Sequence, residues 1–256
     1  MAEAPGRKAV RLSMWLLVGV VALVAGVAMG FQVDGALERE REFRAAPACA
    51  SVPVKASGCL WEQEFTVRSA ETNRRHRNRS PEAVLVPSVG EPWDVTFRRT
   101  GPVLSEMERG ERVVGVIWHG QVVEIRDADG RRQQTSVGPV GWPADRLGGA
   151  LALVPLGLTA VSGGLWGFLA RGSRRHTTAA AVVRWHGIAI GVTAMLTLWA
   201  QSANHWPIWA LPAIWGPIAL ILLACMTGFV IAALHGELED DEQADPQGTP
   251  PVPGSA

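Results

Sequence analysis

Apolar and polar positions are segregated along this chain on two scales. On the longer scale, stretches without a formal charge lie between charged blocks. No charged residue stands between Arg11 and Asp34, and none from Leu147 to Ala170. After Arg184 the next formal charge is Glu237, histidines aside. A helix needs about 20 apolar residues to cross a hydrocarbon core. Each of the first two runs fits one such helix. The third is too long for one, and "QSANHWP", residues 201–207, interrupts it with polar side chains and a proline. The pattern predicts transmembrane helices over 12–33, 147–170, 181–200 and 211–235. Residues 1–11, 171–180 (a basic loop), 201–210 and 236–256 (an acidic, proline-rich tail) flank and connect them.

Residues 34–146 follow a shorter period. "DGALEREREFRAA" is rich in helix formers and predicts that the first helix continues outward to Pro47. Beyond it, "WEQEFTV" alternates Trp61, Gln63, Phe65 and Val67 with Glu62, Glu64 and Thr66. "WDVTF", "VVGVIW", "QVVEIRD" and "RRQQTSV" also read as strands, with glycine and proline signals between them. The expected fold class is α+β: four transmembrane helices with a small antiparallel β domain, residues 34–146, inserted between helices 1 and 2.

Basic residues near the helix ends set the orientation. Arg7, Lys8 and Arg11 precede the first helix, and Arg171, Arg174, Arg175 and Arg184 lie between the second and third. The loop joining the third and fourth has no Lys or Arg. This predicts a bacterial plasma-membrane protein with both termini cytoplasmic and the β domain outside. The chain has no Tyr and 11 Trp. Trp15, Trp166 and Trp185 fall near the predicted inner interface, and Trp142, Trp199, Trp206 and Trp209 near the outer one, as in aromatic belts. The first apolar region exceeds the usual 7–15 residues of a signal core, so an uncleaved anchor is expected although Ala28-Met29-Gly30 has a small-x-small form.

Small residues recur four apart within the helices: Ala22, Gly26 and Gly30; Gly163 and Gly167; Gly187 and Gly191. Such faces let helix backbones approach in lipid. They predict a packed bundle and are compatible with a homo-oligomer.

Charge narrows the functional classes. The net charge is zero, and residues 34–146 carry 17 basic and 17 acidic side chains. Neither the chain nor this domain has a global field to gather nucleic acid, so no nucleic-acid partner is expected. Trp118-His119-Gly120 and Asp127-Ala128-Asp129-Gly130 read as two turns between strands. A calcium loop needs further oxygen ligands and a distal Glu that are missing here, and His119 lacks an evident nucleophile and orienting partner. His186 and His235 stand near helix ends without Cys-His ligand spacing. No catalytic residue, metal or cofactor is therefore assigned. Apart from Arg184 near the start of the third, the predicted helices contain no formal charge, which disfavours an ion-coupled pump. Arg74, Arg75, Arg77 and Arg79 in "NRRHRNRS" are candidate contacts for a partner or an anionic group, against the simpler reading of a solvated loop.

Cys49 and Cys59 are the cysteines of residues 34–146 and are predicted to form a disulfide, since an extracytoplasmic compartment sustains one. Cys225 lies in an apolar run and reads as a small packing residue.

"RGERVVGVIWHGQVVEI", "DADG" and Thr135 form a Gly…Val-x-x-x-Trp-x-Gly…Gly…Thr pattern over residues 110–135. In this the chain resembles uncharacterised multi-pass membrane proteins of GC-rich, actinobacterial-type bacteria. The resemblance implies a membrane location, a small β domain after the first span and no catalytic residues. The expected function is a non-enzymatic membrane protein, set in the lipid bilayer, whose β domain binds an envelope protein or polymer. The alternatives are a transport-associated or channel-like helix bundle, and a membrane enzyme acting on lipid or envelope polymer, for which His76, His119 and His205 are the available general bases.

Overall fold

The computed structural model describes residues 5–53, 57–72, 80–170, 173–204 and 206–236, with side chains from residue 13 onward. The chain divides into two units, Asp34–Pro143 and the remainder, Met1–Val33 with Ala144–Ala256.

Helix α1 spans Pro5–Phe31 and α2 spans Val33–Ala45. The sequence predicts one continuous helix here; the structure has a turn at Gln32. In α2, Asp34 in the first turn and Arg44 in the last complement the helix dipole, and Arg44 pairs with Glu40 one turn earlier. The helix stops two residues before Pro47, whose ring disfavours helical geometry at the preceding residue. Placement of the β domain between helices 1 and 2 is thereby corrected. The polar stretch after α1 is a helix of its own, and the sheet follows it.

The sheet has six strands: β1 Trp61–Glu71, β2 Glu82–Pro87, β3 Trp93–Thr96, β4 Arg112–Trp118, β5 Gln121–Arg126 and β6 Arg132–Gln134. Their order is β3-β2-β1-β4-β5-β6, and every pairing is antiparallel. The sheet curls into a half-barrel. Just beyond its edge strands, Phe97 bridges Thr135, and the Ser136 amide donates to the Thr96 carbonyl at 2.8 Å. The alternation read in "WEQEFTV" places Phe65 and Val67 inside and Glu64 and Thr66 outside. Phe65, Val67, Leu85, Phe97, Leu104, Val113, Ile117 and Ile125 form the centre of the core. Gly115 makes room for this packing: a Cβ there would stand 2.7 Å from Phe65 Cε2.

The β4–β5 hairpin turns through His119 and Gly120, both with positive φ, 50° and 74°. Positive φ at both central residues matches the right-handed twist of the flanking strands. Histidine is among the residues that enter this region more readily than most.

The other unit contains the remaining long helices: α3 Trp142–Leu169, α4 Arg174–Asn204 and α5 Ala210–His235. With the helical stretch Ser13–Ala45 they give four segments long and apolar enough to cross a membrane. Antiparallel packing of α1 on α3 uses glycine at close quarters. A Cβ on Gly157 would lie 2.6 Å from the Leu23 amide nitrogen, and one on Gly26 would lie 2.9 Å from that of Val154. The α3–α4 contact is similar: a Cβ on Gly163 would sit 2.8 Å from the Ala180 carbonyl oxygen, Gly187 faces Thr159, and a Cβ on Gly191 would sit 3.3 Å from the Ala152 carbonyl oxygen. Gly167 is buried, whereas a Cβ on Gly30 would have looser surroundings, with Ala150 Cβ at 3.9 Å. Leu17, Val21 and Val24 of α1 and Leu220, Ile221 and Ile231 of α5 are exposed. Apolar side chains on the outside of a close-packed helical unit suit a lipid environment. Cys225 is exposed as well, so it does not pack within the unit as the sequence suggests.

Candidate functional site

A concavity of the β unit forms on the outer face of its sheet. Antiparallel register aligns Glu62, Val116, Glu124 and Gln134 in one cross-strand row, and Glu64, Val114, Arg126 and Arg132 in the next. Charges alternate diagonally between these rows. Arg126 Nη1 is 3.5 Å from Glu62 Oε1, and Arg132 Nε is 3.8 Å from Glu124 Oε1. Gln134 Nε2 donates to the second Glu124 oxygen at 2.6 Å. These partly exposed pairs contribute little to stability, but they set a polar wall of both signs. Within that wall Arg126 Nε is buried and has no hydrogen-bond acceptor among the described residues.

The opposite wall is apolar. Val116, Trp118 and Val123 cluster on the outer face, with Phe43, Ala46 and Leu60 packed over them. Phe43 meets the Trp118 ring edge-on at 5.6 Å, and Trp118 Nε1 donates to the Gly58 carbonyl at 3.2 Å. The covering segment is held in place by three bonds. Cys49 N donates to Leu60 O and Leu60 N to Pro47 O, both at 2.8 Å, and Cys49 and Cys59 form the predicted disulfide, with Cα atoms 5.1 Å apart. Between the two walls lies a cleft of about 660 Å³, lined in part by Phe43, Val52, Leu60, Glu62, Arg126 and Arg132. That volume falls within the usual range for ligand clefts, about 300–1,000 Å³.

The disulfide closes a short loop, with a sequence separation of 10. Replacing Cys49 and Cys59 by serine is expected to lower the stability of the β unit by about 3 kcal/mol, from the chain-entropy relation. Denaturant titration of the full chain, followed by hydrogen exchange at Cys49 and Leu60, measures it. An unchanged midpoint would mean that the two backbone hydrogen bonds suffice.

His119 and Asp127 are not among the residues that line the cleft. His119 occupies its turn, donates its amide to Ser57 O at 3.1 Å and rests its ring against Trp118, centroids 4.2 Å apart. Asp127 is a turn anchor, accepting from the Arg131 amide at 2.8 Å and from Arg131 Nε at 2.7 Å. Hydrogen bonds to Glu106 and then Asp127 push the Arg131 pKa up, so this guanidinium stays charged. Among the described residues no group of three His, Cys, Asp or Glu side chains could hold a metal ion. His186 and His235 each use Nδ1 to donate to the carbonyl four residues earlier, Val182 and Ile231, both at 2.9 Å. Arg74, Arg75, His76, Arg77, Arg79 and His205 lie outside the described residues.

No family model, curated protein or solved structure matches the chain.

The sequence reading missed the cleft residues Phe43, Glu62, Glu124, Arg126 and Arg132. One signal was present: "WEQEF" and "QVVEIRD" place charged residues on the outward side of their strands. Their convergence depends on pairing β1 with β4, and on the β4–β5 register shift between Val116 and Ile117, neither of which the strands announce individually.

Proposed function

We propose that this chain is a multi-pass protein of the bacterial plasma membrane whose β unit faces outward and binds an envelope partner through the cleft on its sheet. The carrying observation is the cleft itself, with one apolar wall and one wall of alternating Arg and Glu side chains. An apolar body with a few convergent polar groups is the usual composition of a binding site. Charges of both signs favour a peptide-like partner over a uniformly anionic polymer, because like-charge juxtaposition is unfavourable. The disulfide supports an oxidising location, and the four apolar helical segments support the membrane.

Two measurements test this reading. A reporter fused after Ala256 is expected in the cytoplasm, and one inserted at Asn78 outside, following the distribution of Lys and Arg; finding both on one side overturns the orientation. Deleting residues 60–140 while keeping the helices is expected to abolish co-purification of the partner. Partner retention by the deleted chain would assign function to the helical bundle instead.

A further inference from the structure

Two like charges stand side by side along the cleft. Arg126 of β5 and Arg132 of β6 are direct cross-strand partners, and both line the cleft. Directly opposite residues on one face of an antiparallel pair have Cβ atoms about 4.5–5.5 Å apart, and like charges at that spacing repel. An anion seated between the two guanidiniums would turn this repulsion into a shared attraction.

Each arginine has an acidic neighbour, and neither contact is close. Arg126 Nη1 lies 3.5 Å from Glu62 Oε1 and Arg132 Nε 3.8 Å from Glu124 Oε1, against about 2.7–2.9 Å for a charge-assisted hydrogen bond. Glu62 is well exposed, so water screens its charge. Glu124 has its other oxygen occupied by Gln134 Nε2. Arg126 Nε is buried and has no acceptor among the described residues. A buried donor without a partner is costly, and an ionised carboxylate is the side-chain group that only accepts, with oxygens enough for two guanidiniums. Glu62 and Glu124 also limit what can be held. A phosphate monoester would bring nearly two negative charges up to them, whereas a carboxylate brings one.

An apolar feature lies at a fixed step from the arginine pair. Val116 is two positions along β4 from Val114, the residue paired with Arg126. Side chains on one face of a strand recur every second residue, about 6.5–7 Å apart. Val116 with Leu60 and Phe43 forms the apolar side of the cleft. An extended peptide has the same period as the strands beneath it, so its side chains i and i+2 match the two features together.

Taking the cleft as the contact surface proposed above, we infer that it holds an acidic-aliphatic stretch of extended peptide. An Asp or Glu carboxylate of the partner lies between Arg126 and Arg132, and the aliphatic side chain two residues away rests against Val116, Leu60 and Phe43.

The test is binding of the full chain, in neutral detergent, to an array of synthetic hexapeptides of varied sequence, one set with blocked ends and one with free C-termini. The wild-type chain is expected to select blocked peptides with Asp or Glu two positions from Leu, Ile or Val. Exchanging that acid for its amide in a selected peptide should weaken binding roughly ten-fold. The Arg132 side chain is 63% exposed, so its substitution spares the core. Arg132→Gln should weaken selection of the acid, and Arg132→Glu should turn it towards Lys or Arg. Arg112→Gln, outside the cleft lining, should change nothing. Binding without preference for an acid, binding confined to peptides with a free C-terminus, or an Arg132→Glu chain with wild-type selection each overturns the inference. So does failure to bind any peptide. Crosslinking from Val52 in cells then separates the two claims: an adduct retained there leaves the cleft a contact surface with a different partner chemistry, and its loss removes the cleft as well.

Discussion

Phe65→Ala is expected to destabilise the β unit by about 3–5 kcal/mol, enough to threaten a domain of ordinary stability. Phe65 is 1% exposed at the centre of the core. It stands in the middle of β1, the strand that pairs with both β2 and β4. Its ring packs against Trp93 at 5.7 Å and fills the space that Gly115 leaves. Truncation removes the apolar contact and leaves a cavity between strands whose ladders prevent collapse. Hydrogen exchange on β1 and β4 amides in the full chain measures the loss. Global protection should fall by roughly two to three and a half orders of magnitude, at about 1.4 kcal/mol for each factor of ten. A change below tenfold would mean that the half-barrel does not depend on this core.

Gln133→Leu is expected to cost a comparable amount, about 3–5 kcal/mol, for a different reason. Gln133 is 5% exposed. Its Oε1 accepts from the Val103 and Leu104 amides at 2.7 and 2.8 Å, and its Nε2 donates to the Arg99 carbonyl at 2.8 Å. One side chain thus satisfies three backbone groups of the loop between β3 and β4. Leucine has a similar size and offers none of these bonds. Each buried group left unpaired costs about 1–3 kcal/mol. Exchange at Val103 and Leu104 should rise before that at β1. If those amides stay protected in Gln133→Leu, other groups hold the loop.

These two residues also mark what the sequence could express. Phe65 was legible because alternation along a half-buried strand is a local signal. The His119-Gly120 turn was legible for the same reason, since the flanking β-branched runs and a glycine are adjacent in the chain. Gln133 was not, because its partners lie about 30 positions away and a glutamine in "RRQQTSV" looks like any exposed polar residue. Strand β2 carries little local signal: "EAVLVP" is short, ends in proline and follows an arginine-rich segment. The apolar runs announced the membrane helices but not their ends. Helix α4 begins at Arg174, seven positions before the start at 181 that the apolar run predicts. The cleft was the least legible feature, since it requires α2, the disulfide segment and four strands to be in register together.

The proposed function requires the cleft to be a contact surface on the outer side of the membrane. Site-specific photocrosslinking in intact cells tests this most directly, with the probe at Val52 or Arg132 on the cleft and at Val89 on the far side of β2 in chain order. Val52 and Val89 are both well exposed, at 66% and 86%, so accessibility alone does not separate them. A discrete protein or wall-peptide adduct is expected from Val52 and Arg132, reduced by Arg126→Gln, and none from Val89. Adducts of equal yield from all three positions, or none from the two cleft positions while the chain remains folded and in the membrane, would contradict it.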